Sequence, residues 1–186
     1  MPVDEHLLTC HPSTPAPAVQ SLCTALRQRS EGGLLLRFKL VGDIARLRIA
    51  APNPQPGRGN RLWETTCFEV FLARADQAFY REFNFSPSGD WATYAFSDYR
   101  TPCPAPEAPL VTAPRLSILK TPGRFELEAE LDANALPAGQ SPLLVGLTAV
   151  VESDDLTDGR HSYWALHHPE PRPDFHRRAG FVLRLD

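Results

Sequence analysis

The sequence predicts an all-β protein, an antiparallel β-sandwich of about ten strands. The main observation is a period-two alternation of apolar and polar residues, which gives a strand one buried face and one face in water. The clearest example runs from Arg124 to Leu131, where apolar residues alternate strictly with charged ones. A second observation is that turn residues separate many such short segments, as is typical of sandwiches and barrels.

Each element is predicted from its local pattern. Residues 34–40 and 44–49 both alternate around Gly42 and Asp43, which predicts a hairpin. Residues 17–28 have apolar side chains at the i, i+3, i+4, i+7 spacing of an amphipathic helix, so the local pattern there favours a helix. Prolines predict loops at 52–61 and 101–114. Further strands are predicted at 66–72, 79–85, 92–96, 116–119, 124–131, 143–152, 162–166 and 181–185.

Length, charge and cysteines narrow the class of protein. The 186 residues predict one domain spanning 1–186, and the net charge of −3 argues against nucleic-acid binding, which needs a positive face. No apolar run reaches membrane-spanning length and the N-terminus does not resemble a signal peptide, so we expect a cytoplasmic protein that does not bind membranes. The four cysteines form no C-x-x-C motif and are expected to be reduced thiols.

Three segments of the sequence are unusually specific. They are Leu62-Trp63-Glu64-Thr65-Thr66-Cys67-Phe68-Glu69-Val70-Phe71-Leu72, Tyr80-Arg81-Glu82-Phe83-Asn84-Phe85-Ser86-Pro87-Ser88-Gly89-Asp90-Trp91, and Ser162-Tyr163-Trp164-Ala165-Leu166-His167-His168-Pro169 followed by Pro173-Asp174-Phe175-His176. In this order they resemble the bacterial DOMON-like proteins, which are related to family 9 carbohydrate-binding modules, and the match covers roughly residues 34–186. The resemblance implies a β-sandwich that serves as a ligand-binding module, with sugar or haem as ligands of the wider superfamily. It also implies a strand at 17–28.

The resemblance implies a sugar site built on two tryptophans. By motif position, Trp63 and Trp164 are similar to a pair of rings that stack on a pyranose, although two core tryptophans would give the same spacing. Glu69 lies on the strand face opposite Phe68, as either a hydrogen-bond acceptor at a pocket or an ordinary surface charge. Arg81 would grip hydroxyls or pair with Glu69. We expect Trp63, Trp164, Glu69 and Arg81 to line one concave patch.

Four of the six histidines fall near the C-terminus, at His161, His167, His168 and His176. Their spacing does not match a known metal motif, so no metal site is predicted. With Arg160, Arg172, Arg177 and Arg178 they are expected to form a basic rim that favours an anionic ligand, for example an acidic or phosphorylated sugar. A solvated loop is the alternative. His161 and His176 are the candidate ligand-binding residues of this segment.

The sequence contains no specific catalytic constellation. Glu64 and Glu69 lie five residues apart, about 17 Å along one strand, which is too far for a glycosidase pair. No cofactor is predicted, and haem held by a Met–His pair is not expected, because the only methionine is Met1. The leading hypothesis is a non-catalytic module for a carbohydrate or sugar-like molecule. The alternatives are a cytosolic metal-dependent enzyme that uses the His-rich segment and a protein–protein interaction module.

Overall fold

The computed structural model describes residues 5–104, 111–154 and 161–186, and within these ranges the chain forms strands and short 3₁₀ turns without an α-helix. No helix in this part of the chain is long and apolar enough to span a membrane. The strands are β1 (Glu5–Leu7), β2 (Thr9–Cys10), β3 (Val19–Gln28), β4 (Leu34–Gly42), β5 (Cys67–Arg74), β6 (Tyr80–Phe85), β7 (Trp91–Asp98), β8 (Thr101–Pro102), β9 (Arg115–Thr121), β10 (Arg124–Leu131), β11 (Leu143–Glu152), β12 (His161–Ala165) and β13 (Leu183–Leu185).

The strands form two antiparallel sheets whose inner faces share one hydrophobic core. One sheet has the order β1-β3-β4-β10-β9, and the other has the order β2-β12-β11-β5-β6-β7-β8, with β13 paired to β11. Phe38 and Phe125 from the first sheet pack on Phe68 from the second, with ring centroids 5.3 and 5.4 Å apart. The predicted all-β antiparallel sandwich is therefore confirmed.

The alternation in β10 has the predicted physical cause. Phe125 and Leu127 point into the core, whereas Glu128 on the other face pairs with Arg37 of the neighbouring strand β4. The outer face of this sheet is therefore covered by cross-strand ion pairs. The inner face of β10 is fully apolar.

One predicted element differs from the structure, and at a second the structure decides between two alternatives. Residues 44–49 do not form a strand, because both edges of β4 are occupied by β3 and β10, and a 3₁₀ turn at Ile44–Arg46 buries Ile44 and Leu47 instead. At residues 17–28 the structure contains the strand that the family resemblance implied, and not the helix that the local pattern favoured. A β-bulge between Val19 and Ser21 shifts the inward face by one residue, so Val19 and Leu22 are both buried at a spacing that imitates a helix.

Short strands at the sheet edges were not predicted. β1 and β2 extend the two sheets near the N-terminus, and β8 pairs with β7 inside the proline-rich segment that was predicted to be a loop. Pro102 is tolerated in β8 because this strand lies at the edge of its sheet. Residues 105–110 of that segment lie outside the described part of the chain.

The central strand β5 positions the functional site. It lies between β11 and β6, and its side chains from Cys67 to Ala73 are buried on both faces of the sheet. Phe68, Val70 and Leu72 face the sandwich core. The residues between them face a second buried region on the outside of the sheet, where chain segments outside the strands cover the surface.

Candidate functional site

The outer face of the larger sheet carries a cavity of about 410 Å³, which we call the central cavity. Strand pairing builds its floor from neighbouring rows of side chains. Tyr163 lies opposite Val150 in one row, and Phe71, Glu82 and Tyr94 form another row. The central cavity is lined by Trp63, Glu69, Phe71, Glu82, Tyr94, Phe96, Arg100, Pro102, Val150, Tyr163, Pro173, Phe175 and His176.

A 3₁₀ turn at Leu62–Glu64 closes one end of the central cavity. The backbone N–H of Arg61 donates to the Tyr94 hydroxyl at 3.2 Å, and the Glu64 carbonyl lies 3.0 Å from Nε2 of His161. These bonds hold the turn across the sheet, from β7 to β12. The Trp63 ring meets the edge of Tyr94 at a centroid distance of 5.3 Å and remains 39% exposed.

The segment Pro173–His176 closes the opposite end. Phe175 packs against Tyr163 with ring centroids 5.9 Å apart, and His176 packs edge-on against Phe71 and Phe96 at 5.3 and 5.0 Å. The cavity therefore has aromatic walls at both ends. Between the walls, its polar floor is formed by two carboxyl groups.

Glu69 on β5 and Glu82 on β6 are these carboxyls, and their residues are only 2% and 5% exposed. Asn84 lies directly opposite Glu69, so Glu82 is its diagonal neighbour, at a typical separation of about 7–8 Å. The Thr148 hydroxyl donates to Glu69 at 3.1 Å, and the Asn84 amide donates to Glu82 at 2.8 Å. The floor therefore places two acidic groups side by side in an apolar surrounding.

The same surroundings change how these carboxyls ionise. Burial, together with the neighbouring Glu82, raises the pKa of Glu69 well above its ordinary value. Burial raises the pKa of Glu82 to about 7, against the lowering effect of its hydrogen bond from Asn84. Near neutral pH the pair therefore carries less than its full double negative charge.

His176 is held neutral beside this pair. Its Nδ1 lies 2.8 Å from the Tyr80 hydroxyl, which itself accepts the backbone N–H of Arg100 at 3.0 Å. Burial and the nearby Arg100 charge lower the pKa of His176 to about 4. Its Nε2 is 3.6 Å from Glu82, but an ion pair there would require a protonated imidazole, and the imidazole is uncharged at neutral pH.

A group of charges at the mouth of the cavity fixes the Pro173–His176 segment. Asp174 accepts hydrogen bonds from the Tyr99 hydroxyl at 2.5 Å and from the Arg100 guanidinium at 2.9 Å. These bonds lower the pKa of Asp174 despite its partial burial. Arg177 pairs with Glu170 at 2.9 Å and with Asp174 at 3.4 Å. The mouth of the cavity is therefore formed by paired charges.

Four of the six predicted site residues lie at this site or next to it. Trp63, Glu69 and His176 line the central cavity. His161 lies at its edge, where it shares the outward face of β12 with Tyr163 and contacts the Glu64 carbonyl. Glu69 proves to be buried, which removes the alternative of an ordinary surface charge.

The other two predicted residues face the opposite side of the sheet, which corrects the expected shared patch. Trp164 is 7% exposed, belongs to the sandwich core and donates its indole N–H to Ser162 at 2.9 Å. Arg81 is 3% exposed and lies in register with Leu72, a core-facing residue. Both stand one residue away from cavity residues, and side chains in a strand alternate between faces. A clamp made of Trp63 and Trp164 is therefore excluded by geometry.

Glu82 and Tyr163 are the most important cavity residues that sequence analysis missed. The signal was present in the alternation of each strand. In β6, Phe83 and Phe85 mark the core face, which places Glu82 on the other face. In β12 Trp164 faces the core, so the same alternation places Tyr163 on the cavity face.

Nothing in the described residues resembles a metal centre. No group of three or more His, Cys, Asp or Glu side chains in residues 5–104, 111–154 and 161–186 could hold an ion. His11 and His168 contact each other edge-on at 4.8 Å, but His168 bonds the Thr9 carbonyl and His11 lies 3.3 Å from the Glu170 carbonyl. Met1 and Arg160, which entered the haem and basic-rim predictions, lie outside the described residues.

Comparisons with solved structures identify the fold. A search of protein-family models finds no match to this sequence, and a search of curated proteins finds none either. A protein from Bacteroides uniformis, described as a candidate carbohydrate-binding protein, is similar with a TM-score of 0.63 and 15% identity over 96% of this chain and 84% of its own. The chain has the β-sandwich fold of family 9 carbohydrate-binding modules.

Two structures of such a module, from Caldicellulosiruptor kristjanssonii, support this statement. The complex with cellotriose has a TM-score of 0.55 and 12% identity, covering 88% of this chain and 72% of that one. The complex with glucose has a TM-score of 0.51 and 11% identity, covering 88% and 74%. At these identities the likeness is one of fold.

Proposed function

We propose that this protein is a non-catalytic module that binds a carbohydrate or sugar-like small molecule in the central cavity. The observation that supports this most directly is the combination of aromatic end walls with a floor of buried carboxyls. The cavity volume of about 410 Å³ falls within the ~300–1,000 Å³ of small-molecule sites. A fold shared with sugar-binding modules adds a fold-level argument.

The cavity offers both kinds of contact that a pyranose requires. The C–H faces of the sugar ring are apolar and match flat aromatic rings, such as Trp63 at one end and Phe175 at the other. The hydroxyls need polar partners, which Glu69 and Glu82 supply from the floor. Trp63 is exposed enough to contact a ligand, and its bonded 3₁₀ turn fixes where it stands.

Replacing Trp63 tests this proposal. Stacking on an aromatic ring contributes on the order of 1 kcal/mol beyond the buried area, so Trp63→Ala should weaken sugar binding about tenfold or more. The sequence has three tryptophans, and of these Trp63 lines the central cavity. Calorimetric titration with glucose and cello-oligosaccharides measures this loss of affinity, and the same sugars should change the intrinsic fluorescence of the wild type but not that of Trp63→Ala.

The control replaces a tryptophan outside the cavity with alanine. Trp91 packs at the edge of the sandwich core and is absent from the cavity lining. Trp91→Ala should lower the melting temperature while sugar affinity stays within about twofold. Equal losses of affinity in the two variants, at equal folded fractions, would contradict a ligand role for Trp63. The absence of binding to any sugar tested would contradict the proposed function itself.

The non-catalytic part of the proposal needs its own test. A second candidate function is glycoside hydrolysis. It is favoured by the diagonal pair of Glu69 and Glu82, because the typical ~7–8 Å separation of such a pair overlaps the spacing of glycosidase carboxyls. Prolonged incubation with cello-oligosaccharides, followed by a reducing-end assay, distinguishes a binding module from a glycosidase. Intact oligosaccharide is expected. Glycosidic cleavage that disappears in Glu82→Gln would instead establish an enzyme.

Three finer statements belong to the same proposal. We assign the chain to the DOMON-like group on its three sequence segments. We propose one domain over 1–186, because side chains of both sheets meet in one core. We propose a cytoplasmic location, with which the four free cysteines are compatible because a reducing compartment keeps thiols unpaired.

A further inference from the structure

The charges and hydrogen-bond partners in the central cavity indicate which class of ligand it can bind. Glu69 and Glu82 together have four carboxyl oxygens, and within the described part of the chain their hydrogen-bond donors are one Thr148 hydroxyl and one Asn84 amide. The Oδ1 atom of Asn84 is also buried without a donor in that part of the chain. When both carboxyls are ionised, the floor therefore holds more acceptors than donors, and an acceptor buried without a donor, such as Oδ1 of Asn84, costs free energy.

The nearby cations are engaged elsewhere. Arg100 lines the mouth of the cavity and its charge acts to lower the pKa of Glu82 against the effect of burial, but the hydrogen bonds of its guanidinium go to Asp174 and not to the floor. Arg177 pairs with Glu170 and Asp174, and Arg178 donates to the carbonyls of Gln77 and Ala78.

His176 and Arg160 are two further members of the predicted basic rim. His176 faces the carboxyls as a neutral ring at neutral pH, and Arg160 lies outside the described residues. The described residues therefore surround an acidic floor with aromatic walls. Of the residues that were predicted to form a basic rim favouring an anionic ligand, Arg177 pairs with acidic side chains and Arg178 with backbone carbonyls.

We propose that the central cavity selects a ligand with a protonated amine next to an apolar ring face, such as a hexosamine with a free amino group. This inference rests on the proposed sugar-binding function and names its ligand class. An ammonium group has three donors and a positive charge, so one nitrogen can serve both Glu69 and Glu82. Aromatic side chains around it add cation–π attraction. The amine would thus supply the donors and the charge that the floor lacks.

The ionisation of the floor is consistent with this selection. Burial and mutual repulsion favour protonated carboxyls in the free protein, and a bound cation would favour the ionised forms instead. The titratable and charged groups that interact with the pair are Cys67 on β5, Tyr80 on β6, Tyr94 on β7, Tyr163 on β12, and Arg100 and His176 from the connecting segments. His161 at the cavity edge contacts the Glu64 carbonyl instead, and Asp174 pairs with Arg100.

Matched sugars test the proposal by calorimetry on the full chain at pH 7.0. For each of the gluco, galacto and manno series, the free hexosamine is compared with the hexose and with the N-acetylhexosamine, in which the amine is uncharged. In at least one series the free amine should bind at least tenfold more tightly than both neutral sugars. Glu82→Gln and Glu69→Gln should each reduce this ratio to below about threefold. Glu128→Gln, on the outer face of the other sheet, should leave it unchanged.

The outcomes separate this inference from the sugar-binding proposal. Neutral sugars that bind as tightly as their amines would overturn the selection of a cation and leave sugar binding in place. A preference for the amine that survives in both Gln variants would show that the carboxyls do not cause it, and would also overturn the inference. If none of the sugars binds, both proposals fail.

Discussion

Replacing Glu82 with Gln should stabilise the protein at pH 8 and have little effect at pH 4.5. Burial raises the pKa of Glu82 from 4.5 to about 7, so between these pH values the folded state holds a proton that the unfolded state releases. Stability attributable to this residue therefore falls as pH rises through that window. Each tenfold change in proton affinity is worth about 1.4 kcal/mol, which makes the penalty roughly 3 kcal/mol above pH 7.

The Gln variant isolates this penalty. Its side-chain carbonyl can still accept the hydrogen bond that the Asn84 amide donates to Glu82, and it carries no charge at any pH. Removing the Glu82 charge also lowers the pKa of Glu69, which acts in the same direction. His176 ionises in both proteins, so its contribution largely cancels when the two are compared.

Urea denaturation followed by tryptophan fluorescence measures the effect. The difference in free energy of unfolding between Glu82→Gln and the wild type should be roughly 3 kcal/mol larger at pH 8 than at pH 4.5. The control is Glu128→Gln, which removes a half-exposed carboxylate paired with Arg37 and should change stability by about 1 kcal/mol or less. A Glu82→Gln difference that is the same at both pH values would refute the argument from burial.

Two further substitutions test the fold. Trp164→Ala should lower the free energy of unfolding by about 3–5 kcal/mol, because Trp164 packs in the sandwich core; a loss below about 1 kcal/mol in urea denaturation would contradict that placement. Gly33→Ala should also destabilise measurably, since Gly33 has φ +85° and an added Cβ would lie 2.1 Å from the Leu131 carbonyl oxygen. Gly123→Ala is its control, because that Cβ would meet nothing within 4 Å, and equal melting temperatures for the two variants would contradict the expected clash.

The strands were predictable where alternation reflects burial on one face. β10 alternates strictly, and its apolar residues face the core as expected. The same reasoning was wrong at residues 44–49, because alternation does not reveal that both edges of β4 are already paired. In β3 the bulge after Val19 disturbed the period, so the local pattern indicated a helix. Bulges and edge occupancy depend on neighbouring strands that lie far away in sequence.

The candidate site was predictable in part. Trp63 and Glu69 were predicted to share one patch, and both line the central cavity. His176, which was predicted as part of a separate basic rim, lines it as well. The prediction for Trp164 was wrong, because motif position does not decide which face of a strand a side chain occupies. The alternation of side chains along β12 turns Trp164 into the core and Tyr163 towards the cavity. The pairing of Glu69 with Glu82 required the register of β5 on β6, which the sequence alone does not contain.

By itself the sequence determined the fold class and the alternating faces of most strands, because these depend on side chains a few residues apart. The tertiary structure alone decided which outward-facing residues became buried. Leu62–Glu64 and Pro173–His176 cover the outer face of the sheet, and this cover places Glu69 and Glu82 in an apolar cavity. The acidity of the floor and its proposed choice of ligand follow from that burial, since desolvation acts on a carboxyl only after distant parts of the chain have excluded water from it.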